Sequence, residues 1–220
     1  MNVRRITVLI SGNGSNLQAL IDACGSGRLP VEIVHVISNR ANAAGLGRAT
    51  SAGIPTSVLE YAGFHARGEF DHALAGLISA QAPDLVVLAG FMRILGPAVL
   101  EQFKCRMVNL HPSLLPRYRG TDTCRRAIEA GDVEHGASMH FVTAELDGGP
   151  VISQVRVSIR DGDDAHSLMA RLAPREHELV VATIELFSRC SVQCADNAVI
   201  IDGQRQANPL LLNANGDFSI

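Results

Sequence analysis

The sequence predicts an α/β fold: a mostly parallel sheet flanked by helices, with an antiparallel portion in the C-terminal half. Three observations carry this. Short, largely apolar runs recur through the first half, as expected of parallel strands buried on both faces. Amphipathic segments opened by small residues separate them, which is the rhythm of βαβ units. After His111 the rhythm breaks, and two strand-like runs then follow one another across an Asp147-Gly148-Gly149-Pro150 turn, a direct return that makes them antiparallel.

In chain order, strands are predicted at residues 7–10, 31–37, 56–59, 85–89 and 107–110, and helices between them at 16–24, 43–52, 68–81 and 97–103. Ser15 and Gln18 have capping-box spacing, so the first helix is expected to begin near Asn16. Pro97 suits the first turn of the fourth. Beyond His111, Pro112, Pro116 and Gly120 mark an irregular stretch, followed by a helix near 123–130 and strands at 137–142 and 151–157. A long helix over 164–187 is expected to bend or restart at Pro174. A small hairpin over 192–204 and a frayed end complete the chain. With no internal repeat, low-complexity tract or linker, a single domain over residues 1–220 is expected, with a Rossmann-like sheet.

At 220 residues, 47% hydrophobic and 19% charged, the chain can build a sizeable core. Its net charge of −3 and pI near 6.2 provide no broad basic field, which argues against nucleic acid or an anionic membrane as partner. Arg4 and Arg5 precede an apolar run far shorter than a membrane span, so a cytoplasmic protein without a signal peptide is expected. Five cysteines without framework spacing imply reduced thiols. Cys190 and Cys194 lack a second pair, and no metal site is expected.

Three segments carry chemistry. Ser11-Gly12-Asn13-Gly14-Ser15-Asn16 joins the first strand to the first helix, where backbone N–H groups and the helix dipole favour an anion. Leu17 stands where a dinucleotide fingerprint needs a third glycine, and Ser38-Asn39-Arg40 where it needs an acid. No Gly-Lys-Ser/Thr follows, so a single phosphate ester is the remaining ligand, the alternative being a plain βα turn. The second segment, residues 89–96, leaves the fourth strand at the same sheet edge; it is either a packed loop or a greasy slot with free amides for a flat heterocycle. The third is Asn109 and His111, two residues apart and therefore on one face of the fifth strand, which Pro112 ends. With Asp147 near, a carboxamide, an imidazole and a carboxylate are the parts that stabilise an oxyanion in acyl transfer. Asp147 alone is also a common turn former. His135 and His140 are expected to be structural or surface residues.

Together, Ile10-Ser11-Gly12-Asn13-Gly14-Ser15-Asn16-Leu17, Ala89-Gly90-Phe91-Met92-Arg93-Ile94-Leu95, Asn109-Leu110-His111-Pro112-Ser113-Leu114-Leu115-Pro116 and the stretch from His140-Phe141-Val142 to Leu146-Asp147-Gly148-Gly149-Pro150 resemble the phosphoribosylglycinamide formyltransferases, folate-dependent enzymes of purine synthesis. The likeness spans residues 8–204. It implies formyl transfer from 10-formyltetrahydrofolate to the amine of glycinamide ribonucleotide, without a metal, by a monomer or homodimer. Residues 1–108 would form the phosphate-binding half, 109–204 the folate-binding and catalytic half, and 205–220 a tail. The resemblance implies that Gly14, Ser15 and Asn16 hold the acceptor phosphate and that Glu176 meets its glycinamide end. Met92, Arg93, Ile94 and Leu95, with Thr143, Ala144, Glu145, Leu146 and Asp147, would hold the pterin, and Arg67 the glutamate tail. Asn109 and His111 would stabilise the oxyanion, Asp147 raising the His111 pKa. The chain departs from the pattern at Asp122 and Cys124, where some members carry histidine, at Ala173, and after Glu176-His177, where a Tyr-Pro is missing.

Overall fold

The computed structural model describes residues 3–219. Its elements are β1 (Arg5–Ile10), α1 (Ser15–Gly25), β2 (Glu32–Ser38), α2 (Ala44–Ser51), β3 (Thr56–Val58), a 3-10 turn (Tyr61–Gly63), α3 (Arg67–Ser79), β4 (Leu85–Leu88), α4 (Pro97–Gln102) and β5 (Met107–His111). They continue with α5 (Thr123–Glu129), β6 (Glu134–Phe141), β7 (Val151–Ser158), α6 (Ala165–Arg189), β8 (Val192–Ala195), β9 (Ala198–Ile201), β10 (Gln204–Arg205), β11 (Leu210–Leu212) and β12 (Phe218–Ser219).

Nine strands form one sheet in the order β12-β11-β7-β6-β5-β4-β1-β2-β3, and β10-β9-β8 form a second. From β3 to β5 every pairing is parallel, and β5–β6 and β6–β7 are antiparallel. The alternation of strand side chains divides the core into two layers. Ile6, Val8 and Ile10 of β1 join Leu85 and Val87 of β4 in a layer with α1 and α6. Leu9, Val86 and Leu88 point the other way, onto Phe70 and Leu74 of α3 and Val99 of α4. Apolar residues on both faces are what make these strands read as unbroken hydrophobic runs.

Two expectations change, and a third narrows to one of its alternatives. The capping box at Ser15 is not formed: Gly14, at φ 74°, takes the N-cap position, and no side chain caps α1 among the described residues. The left-handed turn lets Gln18 N–H reach the Gly14 carbonyl at 2.9 Å and pulls Ser15 into the first turn. Helix α6 does not restart at Pro174; it runs 25 residues, its buried stripe continuing from Leu168 and Leu172 to Leu179 and Val180 across the proline. The tail is not frayed. Leu210 and Leu211 add β11 in parallel to Ser153 and Gln154 of β7, and Arg175 ties it down by donating to the Leu212 and Asn213 carbonyls at 3.2 and 2.8 Å. The hairpin over 192–204 is present and gains β10 as a third strand. Among the described residues, no helix is long and apolar enough to cross a membrane.

Candidate active site

Because β1, β4 and β5 are parallel, the loops that leave them share one rim of the sheet, where α/β folds place their ligands. A cavity of about 560 Å³ opens there, lined by Gly90–Ile94, Asn109–Pro112, Gly120–Arg125, Leu146 and Asp147, with Ala165 and Met169 of α6. Of six exposed large hydrophobic side chains among the described residues, Met92, Ile94, Leu146 and Met169 all line this cavity. Apolar exposure concentrated at one mouth marks a ligand surface. A smaller adjoining cavity of about 90 Å³ brings Arg93–Leu95 against Thr143–Asp147.

At the cavity wall, β5 ends in Asn109 and His111, and the loop after β6 returns Asp147 to them. That loop passes so close to β6 that a Cβ on Gly149 would lie 1.9 Å from the Phe141 carbonyl oxygen, so only glycine fits. Asp147 Oδ2 lies 3.4 Å from His111 Nδ1, both side chains at least nine-tenths buried, and the same oxygen accepts from Gly120 N–H at 2.9 Å. On the far side of the ring, His111 Nε2 lies 3.0 Å from the Tyr118 carbonyl. A carbonyl only accepts, so Nε2 carries the proton. Asp147 stands at ion-pairing distance from the other nitrogen, Nδ1.

His140, expected to be a structural or surface residue, is buried and belongs to this cluster. It stands opposite Asn109 in the β5–β6 register. Its Nδ1 donates to the Phe141 carbonyl at 2.9 Å, which leaves Nε2 to accept from the Asn109 amide at 3.0 Å. Burial pushes its pKa down to about 4, against partial compensation from the Phe141 carbonyl and Asp147, so the ring is neutral. One Asn109 N–H is thereby fixed, and the other is left for a ligand at the cavity wall.

At the amino-terminal turn, Gly14 packs on α2: a Cβ there would lie 2.7 Å from Gly45 Cα. Arg48 donates to the Asn13 carbonyl and side-chain oxygen at 2.9 and 2.8 Å. Ser15 is exposed. The N–H groups of the first turn of α1 have no side-chain cap among the described residues, which is the arrangement that binds anions. Asn16 faces Glu176 of α6. Burial pushes Glu176 up to about 7, partly offset by a hydrogen bond from Asn16, and Cys124, at the cavity wall, feels its charge. Arg67 turns toward the 90s loop, its Nη2 donating to the Ile94 and Leu95 carbonyls at 3.0 and 3.1 Å, with Asp71 Oδ2 3.8 Å from Nε. Arg93 lies 3.8 Å over the Tyr61 ring, and Glu145 pairs with Arg119, joining the loop after β6 to the stretch after β5. Asp122, at φ 57°, precedes α5 and pairs with Arg125 at 2.9 Å.

The comparisons with known proteins agree with this architecture. The formyl transferase family model matches residues 4–184. The phosphoribosylglycinamide formyltransferase of Escherichia coli is 50% identical over 200 residues, covering 91% of this chain and 94% of that one. The human trifunctional purine biosynthetic protein adenosine-3 is 40% identical over 196 residues, 89% of this chain and 19% of the larger protein. Among solved structures, the phosphoribosylglycinamide formyltransferase of Coxiella burnetii superposes with a TM-score of 0.89 at 45% identity, covering 93% of this chain and 96% of its own. The glycinamide ribonucleotide transformylase 1 of Symbiobacterium toebii gives 0.87 at 42%, covering 90% and 94%. The chain belongs to the formyl transferase family, among its phosphoribosylglycinamide formyltransferases.

Proposed function

We propose that this cytoplasmic enzyme transfers the formyl group of 10-formyltetrahydrofolate to the amine of glycinamide ribonucleotide in purine synthesis, as a monomer or homodimer. The observation that carries the reading is the buried His111–Asp147 pair, 3.4 Å apart in the wall of a cavity bounded by the 90s loop and the loop after β6. Residues 1–108 supply the phosphate-binding half and 109–204 the folate-binding and catalytic half. The acceptor phosphate sits on the uncapped first turn of α1 at Gly14, Ser15 and Asn16, and Glu176 receives the glycinamide end. Backbone groups of Met92–Leu95 and Thr143–Asp147 hold the pterin. Arg67 serves the glutamate tail while bracing the 90s loop.

In this mechanism the neutral amine attacks the formyl carbon on N10, placing negative charge on the formyl oxygen. The His111 imidazolium, through Nδ1–H, and the free N–H of Asn109 donate to that oxygen. Nδ1 is the available atom because Nε2 is held by the Tyr118 carbonyl. The carboxylate of Asp147 offsets the imidazolium charge throughout. Collapse of the intermediate breaks the carbon–N10 bond, and the proton lost by the attacking nitrogen reaches N10 through His111 or a water held by Asp147. The test is direct. With glycinamide ribonucleotide as acceptor the purified enzyme should deformylate 10-formyltetrahydrofolate at a rate far above that with water alone; equal rates would identify a hydrolase instead.

A further inference from the structure

Ser11 joins the two substrate loops through side-chain chemistry that the reaction itself does not use. It lies just past β1, 2% exposed, three residues before Gly14. Its N–H donates to the Gly90 carbonyl at 3.1 Å. Its Oγ accepts from Met92 N–H at 2.7 Å and donates its proton to Asn39 Oδ1 at the end of β2. A hydroxyl has one proton and two lone pairs. Because Asn39 takes the proton, a lone pair is fixed on the Met92 amide, and one side chain fastens the glycine turn, the end of β2 and the 90s loop together. On its other flank the turn is held to α2, where Gly45 N–H donates to the Gly12 carbonyl at 3.1 Å. The Met92 side chain is 65% exposed and lines the main cavity.

We propose that Ser11, oriented by Asn39, is a positioning residue that couples the acceptor and formyl-donor sites, so that occupancy of either loop favours binding at the other. The inference rests on the subsite assignment above. A ligand that orders the 90s loop at Met92 also orders residues 11–14 through the shared hydroxyl, so the second ligand meets a turn already fixed. Such coupling is reciprocal and is typically about fivefold or more in affinity. Without the hydroxyl, Met92 N–H and Asn39 Oδ1 lose their partner, and of the Ser11 links to the 90s loop only the Ser11 N–H to Gly90 bond survives, too little to order the two loops together.

The test is calorimetric titration of glycinamide ribonucleotide and of tetrahydrofolate, the formyl-free product, each alone and with the other saturating. Wild-type enzyme should show each ligand tightening the other by about fivefold or more, with the same factor in both directions. Ser11→Ala should bring that factor below about twofold, leaving each separate affinity within about threefold. Asn39→Ala should weaken the coupling in the same direction, and Asn39→Asp, which keeps an acceptor for the hydroxyl, should retain it. If Ser11→Ala does not fold, the Asn39 pair decides. An unchanged factor in Ser11→Ala or Asn39→Ala, or a wild-type factor of one, would overturn the inference and leave the function standing. Failure of the wild-type enzyme to bind either ligand would overturn both.

Discussion

The glycine turn after β1 and the carboxyl end of β5, with His140 of the antiparallel β6 beside it, belong to the same sheet, but they are built from different materials. At the turn the shape is carried by backbone: Gly14 at φ 74°, its close approach to Gly45, and N–H groups left open at the start of α1. At the β5–β6 edge it is carried by side chains, with His111, His140, Asn109 and Asp147 packed within hydrogen-bonding or ion-pairing reach. In the proposed function the first arrangement recognises the charge and shape of the acceptor phosphate, a group that does not react. In the same proposal the second places a cation and an amide donor where charge develops. Side-chain changes should therefore act on rate at one end, and backbone changes on affinity at the other.

The largest effect tests the side-chain end. Loss of one donor to a developing oxyanion typically costs about 10²- to 10³-fold in rate. His111→Ala should lower kcat by at least this much, and Asp147→Asn by a comparable factor, with an unchanged far-ultraviolet circular dichroism spectrum and an acceptor KM within about threefold of wild type. Near-wild-type turnover in either protein would erase the distinction between the two ends.

Titration separates the ends in a second way, because each buries one ionisable group with too little compensation. Glu176 is pushed from 4.5 up to about 7 by burial, so the folded protein holds an extra proton between those values. Its contribution to stability is lost as pH rises through that window, by about 3 kcal/mol in all. His140 is pushed from 6.5 down to about 4, again by burial, so the unfolded chain binds the extra proton. Its contribution is lost as pH falls through that window, by a similar amount. Between pH 4.5 and 6.5 the two oppose each other. Glu176→Gln should unmask stability that rises with pH, and His140→Asn stability that falls with it. Urea unfolding at pH 4.5, 5.5, 6.5 and 7.5 reads both slopes, and parallel curves for the three proteins would show that neither group is buried as described.

What the sequence made legible follows the same division. The strands of the parallel half stand out because residues such as Val86 and Val87 are apolar toward both layers. Asn109, His111 and Asp147 stand out because a proline-terminated strand and a Gly-Gly loop announce their own geometry. His140 was missed because its role depends on standing opposite Asn109, and register between strands thirty residues apart leaves no local mark. The same applies to β11, three leucines in a turn-rich tail that become a strand only against β7. At α1 the local signal misled: Ser15 and Gln18 have the right spacing, but the contact between Gly14 and Gly45 sets the helix start. Ser11 was visible as part of a motif, while its bonds to Asn39 and Met92 required three separate segments to be brought together.

The smallest effect tests the backbone end, through Gly14→Ala. The substitution adds one methyl group and removes no functional atom. Two costs arise together. A non-glycine residue at φ 74° is strained, and the new Cβ would meet Gly45 Cα at 2.7 Å, which α2 or the turn must relieve by shifting. A backbone strained in this way costs about 1–3 kcal/mol. If the turn yields, the open N–H groups of α1 rotate away from the phosphate, and acceptor KM should rise roughly tenfold, within the range that 1–3 kcal/mol allows. The β5–β6 edge makes no contact with that methyl, so kcat and the folate KM should remain within about twofold. A fall in kcat with acceptor KM unchanged would mean that the turn acts on the reacting atoms, and that the rim is one catalytic unit rather than a backbone cradle beside a side-chain centre.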